Sequence, residues 1–243
     1  MSGPRLLVVN SNTNPAVTAR IDIAARAAAS PGTEIISITA PFGCPLVVTR
    51  SDWLAAATAT LAALGEHRGS YDAAVIACFG DPGLEAAKEL LDVPVLGIAE
   101  AAFHAAALHG GRFGVICFTC NLQPMFLDAL DRSGLAGRCT GFRMGPPFTA
   151  DAGTVAETHE ALLERLCQEA IEQDGAEVLI IAGGPLAGLA IRLAERLPVP
   201  LIDGTAAAVR LAEAMIGLAP PGPRPARRPM PSGQPESLRR LYP

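Results

Sequence analysis

The sequence runs to 243 residues, 50% of them apolar and only 5% aromatic, with a formal net charge of −5. That balance supports one large core or two smaller lobes and speaks against a nucleic-acid or anionic-membrane partner. No apolar run approaches the roughly 18 residues that a bilayer span needs, and the first strand-like run does not read as a signal h-region. The expectation is therefore a soluble, cytoplasmic protein acting on a small molecule.

In chain order, short apolar runs alternate with alanine-rich helical stretches. Residues 6–9, Leu-Leu-Val-Val, read as a first strand, and residues 10–13 as the polar loop behind it. A helix is predicted over 15–29, with Asn14 as N-cap and Pro15 at the first helical position. A strand over 34–39 and a helix over 52–64 follow. Next come a fully apolar strand at 73–77, a helix at 83–91, a strand at 95–98 and a helix at 99–108. The pattern restarts with a strand at 113–118 and a helix at 122–132. It continues through a helix at 155–173, a strand at 178–182, a helix at 186–197, a strand at 201–202 and a helix at 205–216. Such alternation with apolar strands predicts an α/β fold of parallel sheets covered by helices.

An internal repeat sharpens this expectation. Residues 72–80, Asp-Ala-Ala-Val-Ile-Ala-Cys-Phe-Gly, align with 177–185, Glu-Val-Leu-Ile-Ile-Ala-Gly-Gly-Pro. Residues 5–13 align with 112–120, and 91–96 with 197–202 after a slip of one residue. The repeat predicts two pseudo-symmetric lobes, 1–110 and 111–218, joined near Gly110 and Gly111 and facing each other across a cleft. The C-terminal helix is a candidate to complete the first lobe. Residues 219–243, rich in proline and arginine, read as a tail with no core element.

In α/β sheets the site lies beyond the carboxyl ends of the strands. Four segments then converge on it. The first is Asn10, Ser11, Asn12 and Thr13; the second is Cys78, Phe79, Gly80 and Asp81. The third contains Thr119 and Cys120, and the fourth Gly183 and Gly184.

Six cysteines in a cytosolic chain of this size do not read as a disulfide framework. Cys117 and Cys120 form a Cys-x-x-Cys pair, but no second pair or nearby histidine completes a zinc site, so no metal is expected. Cys78 ends a buried strand just before a helix. The N–H groups of a helix start favour a thiolate and would hold a substrate carboxylate or an enolate oxygen. A buried cysteine is also commonly a small hydrophobe, and position alone leaves both readings open. Asp81 would orient the thiol, bind substrate or start the helix. Asn12 and Thr13 suit a ligand or a helix cap, and Cys44, in the loop after Phe42 and Gly43, would border the cleft.

Val-Asn-Ser-Asn-Thr-Asn at 9–14, Ala-Cys-Phe-Gly-Asp-Pro-Gly-Leu at 77–84, Arg-Phe-Gly-Val at 112–115 and Val-Pro-Leu-Ile-Asp-Gly at 199–204 carry a resemblance. Up to Gly217 the sequence resembles the hydantoin racemase branch of the aspartate/glutamate racemase superfamily. The resemblance implies two pseudo-symmetric lobes, no cofactor, a homo-oligomer, and proton transfer at a carbon next to a carbonyl. It also implies two cysteines, one from each lobe, on opposite faces of a flat intermediate. Here the chain departs from the family: where the second cysteine belongs, residues 182–186 read Ala-Gly-Gly-Pro-Leu. The repeat independently makes Gly183 the mate of Cys78. Cys117 or Cys120 is a candidate substitute for the missing thiol. The arylmalonate decarboxylase-like branch, which keeps one cysteine opposite a glycine, offers an alternative: decarboxylation of a malonate-like acid with Cys78 as sole proton donor. An inactive ligand-binding homologue is a third reading.

Overall fold

A computed structural model describes residues 3–148, 151–218 and 233–241. The first half contains β1 (Arg5–Asn10), α1 (Pro15–Ala28), β2 (Glu34–Thr39), α2 (Arg50–Glu66), β3 (Ala73–Ile76), α3 (Leu84–Leu90), β4 (Val95–Gly97) and α4 (Ile98–His109). The second contains β5 (Phe113–Cys117), α5 (Gln123–Ser133), β6 (Cys139–Met144), α6 (Val155–Thr158), α7 (Glu160–Glu172), β7 (Val178–Ile181), α8 (Leu189–Ala194), β8 (Leu201–Asp203) and α9 (Gly204–Leu218). A last short helix, α10 (Glu236–Arg239), follows.

The strands form two four-stranded parallel sheets, ordered β2-β1-β3-β4 and β6-β5-β7-β8. The two orders are the same once the halves are superposed, so the sequence repeat is a structural repeat of two lobes. β1 is apolar on both faces because both are covered. Leu6 and Val8 enter the large core shared by the lobes, whereas Leu7 and Val9 enter a smaller core beneath α2 and α3. Local signals fix the helix starts. The Asn14 side chain accepts from the N–H of Ala16, with Pro15 behind it, and Thr49 and Asp52 form a capping box at α2.

The halves are not self-contained. α4 packs against β7 and β8 as well as β4, while α9 packs against β3 and β4 as well as β8. The backbone at Gly204 lies so close to α4 that a Cβ there would meet the Ile98 carbonyl oxygen at 2.8 Å.

Four elements differ from expectation. β6 was absent from the sequence pattern: it is a half-buried edge strand containing Gly141 and Arg143, with no apolar run. The helix expected over 155–173 breaks at His159 into α6 and α7. The helix expected over 186–197 shrinks to α8, because Gly188 (φ 83°) turns the chain just before it. The expectation of a tail without core contacts fails near its end: residues 219–232 lie outside the described residues, and Leu241 is buried in the smaller core with Leu64. Gly65 admits this segment, since a Cβ there would lie 2.0 Å from the Ser237 carbonyl oxygen. Among the described residues no helix is long and apolar enough to cross a membrane.

Candidate active site

Cys78 stands two residues beyond β3 on a knuckle of unusual backbone. Gly80 (φ 108°), Asp81 (φ 57°) and Gly83 (φ 84°) all take positive φ. The Asp81 N–H closes a tight turn onto the Cys78 carbonyl at 2.9 Å. Glycine tolerates this geometry freely; a short polar aspartate is one of the few other residues that does. The knuckle presents Cys78, partly exposed, to a cleft between the lobes. Asn12, Leu46 and Val47 wall the cleft on one side, and Phe118, Leu122 and Gly183 on the other. The space between these walls is small, about 20 Å³, which suits a single water and not an organic ring. The lobes touch here: a Cβ on Gly184 would come within 3.0 Å of the Ala77 carbonyl oxygen.

The polar loop after β1 is prearranged. Asn10, fully buried, donates from Nδ2 to the Asn12 Oδ1, the Asn14 carbonyl and the Thr18 hydroxyl. Its own Oδ1 accepts from the Asn12 N–H at 3.2 Å. Asn12 Oδ1 takes a second donor, the N–H of Asn14, at 2.9 Å. Asn12 lines the cleft, and with its oxygen thus occupied its NH₂ is left without a partner among the described residues. Ser11 is buried and accepts from the Thr60 hydroxyl at 2.9 Å. The Thr13 N–H donates to the Cys44 carbonyl at 3.0 Å, pinning the segment between β2 and α2 against this loop.

The other expected site residues fall in different places. Asp81 is buried with its carboxylate turned from the cleft; its oxygens accept from the N–H groups of Ala99 and Glu100, the first turn of α4, at 2.9 and 2.8 Å. It is a clasp between the knuckle and α4, and Gly97 is needed beside it, because a Cβ there would lie 2.0 Å from the Asp81 carboxyl carbon. Burial pushes this carboxyl up to about 7 against the pull of the two N–H donors. Thr119 is buried and accepts from the Asn121 N–H. Cys117 is buried in β5, its thiol pushed up to about 12 by burial. Neither it nor Cys120 belongs to the cleft wall, whose nearby members are Phe118 and Leu122. The candidate substitution of Cys117 or Cys120 for the missing thiol therefore has no support in the geometry.

The thiolate-favouring surroundings expected for Cys78 are not found. α3 begins only at Leu84, and apart from Asn12 the side chains lining the cleft with the thiol are apolar. Burial, then the Asp81 carboxylate and then Cys44 push the Cys78 thiol up to about 12. In the closed cleft it is held as a thiol.

Gly183 takes φ 123° and ψ 137°, a conformation that side-chain-bearing residues rarely adopt. A Cβ there would find ordinary contacts, with Phe118 Cε1 at 3.6 Å and Pro185 Cδ at 3.8 Å. The backbone and not the space is what favours glycine.

Two residues that no motif marked stand close to the knuckle. Arg132, from α5 of the second lobe, donates to the Gly80 carbonyl at 3.1 Å and pairs with Glu85 at 2.7 Å. Trp53 on α2 brings its Nε1, buried and without a partner, to 3.7 Å from where a Cβ on Gly80 would sit. Its being the sole tryptophan in the chain was the only signal available.

The profile of the Asp/Glu/Hydantoin racemase family matches residues 6–212. A hydantoin racemase of Paenarthrobacter aurescens is 35% identical over 219 residues, covering 88% of this chain and 92% of the relative. The structure of an allantoin racemase from Klebsiella pneumoniae superposes with a TM-score of 0.87 at 31% identity, over 99% of this chain and 100% of that one. Arylmalonate decarboxylase, at 17% identity and a TM-score of 0.59 over 89% of this chain and 94% of its own, shares the fold.

Proposed function

The chain belongs to the aspartate/glutamate/hydantoin racemase family, and from that premise we propose that it racemises a hydantoin-type cyclic ureide by cofactor-independent proton transfer, with Cys78 carrying the proton on one face of the ring. It is an enzyme of racemase type; the substrate class and the role of Cys78 are the proposal. The observation that carries it is the meeting of a cleft-facing thiol, Cys78, with the unpartnered NH₂ of Asn12 in the same cleft.

Once the Cys78 thiol has released its proton to solvent water, its thiolate takes the proton from the carbon next to the ring carbonyl, and the electron pair of that C–H bond moves onto the carbonyl oxygen. The Asn12 NH₂ is placed to donate to that oxygen as its charge grows, a contribution realised mainly in the transition state. A raised thiol pKa serves this chemistry: once ionised, such a sulfur is a stronger base toward a weak carbon acid, and as a thiol it keeps its proton until an enolate needs it. The present cavity is too small for the ring, so binding displaces the apolar wall, of which Leu46 and Val47 lie in the segment without regular structure between β2 and α2.

A second reading has one specific support. Gly183 offers no side chain opposite Cys78, as a single-thiol decarboxylase of a malonate-like acid would require.

Proton NMR in D₂O separates the two. Wild type and Cys78→Ala are compared on the enantiomers of 5-benzylhydantoin, on allantoin and on methylphenylmalonate. Loss of the ring C–H signal and of optical rotation with wild type only is the expected result. Release of CO₂ from the malonate with no turnover of either ureide would replace the racemase reading by the decarboxylase one.

A further inference from the structure

The two walls of the cleft are supported differently. Leu46 and Val47, on the first-lobe side, belong to a segment without regular structure. Phe118, on the second-lobe side, follows β5 directly and is backed by a second ring and a third. It meets Phe148 edge-on, with ring centroids 5.1 Å apart, and Phe148 meets the His159 ring edge-on at 5.4 Å. His159 stands at the break between α6 and α7. The Asn121 Nδ2 donates to the Phe148 carbonyl at 3.4 Å. The chain just before Phe148 is also close, since a Cβ on Gly145 would lie 2.2 Å from the Phe118 carbonyl oxygen. Rings packed edge to face attract one another beyond their burial and hold each other's orientation. Phe118 therefore keeps its place while the opposite wall yields to a ligand.

The reacting carbon of a ureide must face Cys78, and its substituent leaves that carbon beside the same sulfur. Asn12 is engaged by the ring carbonyl, and the other side chains that line the cleft with the thiol are apolar. Phe118 is the largest of those from the second lobe. The ureido substituent of allantoin would set its N–H groups and carbonyl unpaired against this hydrocarbon. A methyl substituent would leave most of the wall uncovered. A benzyl substituent would cover it and pack on the Phe118 ring. We propose that Phe118, held by Phe148, is the specificity-determining residue of the site, selecting ureides with a large apolar substituent at the reacting carbon over allantoin. The inference rests on the racemase reading and adds to it which ureide is taken. Phe118 touches the substituent; Phe148 acts only through Phe118 and is a positioning residue.

Racemisation of 5-benzylhydantoin, 5-methylhydantoin and allantoin is followed by polarimetry with wild type, Phe118→Leu, Phe148→Leu and Phe148→Tyr. In wild type, kcat/KM for the benzyl compound should exceed that for allantoin by roughly 100-fold and that for the methyl compound by at least about tenfold. Phe118→Leu should lower the benzyl-to-methyl ratio about tenfold, chiefly by raising KM for the benzyl compound. Phe148→Leu should lower the same ratio, and Phe148→Tyr, which retains the ring, should keep it within about threefold of wild type. A merely structural role would depress both substrates alike and leave the ratio standing. An unmoved ratio in Phe118→Leu overturns the proposal, and one in Phe148→Leu overturns the positioning role. Allantoin turned over by wild type as well as the benzyl compound also overturns the proposal.

If wild type racemises none of the three, the racemase reading fails by itself. The selection is then read by calorimetric titration of wild type and Phe118→Leu with the benzyl and methyl compounds. Wild type should bind the benzyl compound about tenfold more tightly than the methyl one, and the variant should lose that preference. Equal affinities in wild type, or no binding of either compound, overturn the selection.

Discussion

The guanidinium of Arg132 donates to the carbonyl of Gly80 at 3.1 Å, so a side chain of the second lobe holds the backbone knuckle that carries Cys78 in the first. The companion ion pair with Glu85 is largely exposed and contributes little to stability, about 0–1 kcal/mol. Its value lies in placing the thiol. Arg132→Met should therefore lower kcat by roughly 10- to 100-fold, the range expected when a catalytic group is misplaced by about an ångström. KM should move little and Tm by only a few degrees. Steady-state kinetics beside a melting curve check this; a large fall in Tm with kcat unchanged would assign Arg132 to stability alone.

Trp53 supplies a reporter of the cleft. As the sole tryptophan, with a buried and unpartnered Nε1 beside Gly80, it should change emission when a ligand spreads the wall. Titration of the Cys78→Ala protein with 5-benzylhydantoin should shift its fluorescence saturably. No change at saturating ligand, established by calorimetry, would mean that the wall opens away from α2.

Gly183→Cys would restore a cysteine where relatives of this family are expected to have one, but at φ 123°. The cost should be about 1–3 kcal/mol, read as a lower urea midpoint with an unchanged slope. A midpoint equal to wild type would show that the 183–185 turn relaxes at no cost.

Asp81 gives stability a pH dependence. Its carboxyl titrates near 3.8 when free and near 7 when folded. The folded chain thus keeps a proton that the unfolded chain releases between those values. That stabilisation is complete below about pH 3.8 and is lost as pH rises through about 7. Asp81→Asn retains one acceptor for the α4 N–H groups and cannot titrate. Its Tm should lack the share of the decline between pH 4 and 8 that wild type owes to this group, and parallel Tm profiles would refute the assignment.

Leu241 closes the smaller core near the far end of the chain. Leu241→Ala should cost about 2–5 kcal/mol, and Gly65→Ala should expel the same segment by collision with Ser237. Both should make residues 233–241 sensitive to limited proteolysis while the cleft keeps its activity. Wild-type resistance in Gly65→Ala would show that α2 yields instead.

Most of the architecture was legible because it rests on local signals. Apolar runs such as 6–9 and 73–77 can only be buried strands, Asn14 and Pro15 mark a helix start, and the repeat fixes two lobes of one design. The position of Cys78 at the cleft was legible for the same reason: a cysteine at the end of a buried strand, followed by Phe-Gly-Asp-Pro-Gly, has few other places to go. Long-range encounters were not legible. Asp81 is indistinguishable from a ligand-binding carboxylate until the first turn of α4, with Ala99 18 residues later, is seen to rest on it. Leu46, Val47, Phe118 and Leu122 are ordinary apolar residues whose convergence on Cys78 depends on how the lobes meet. β6 escaped notice because an edge strand, wet on one side, needs no apolar run.

Asp203 performs in the second lobe the service that Asp81 performs in the first, with the parts exchanged: it stands at the start of α9 and accepts from Thr205 and Ala206 there, and from Gly188 beyond β7. Those two helices are the ones that cross to the other lobe's sheet. A half-length chain ending after α4 would lose the cover that α9 gives to β3 and β4. One consequence is that the Cys78 knuckle is tied, through Asp81, to a helix lying against the opposite sheet, so any relative motion of the lobes is felt at the thiol.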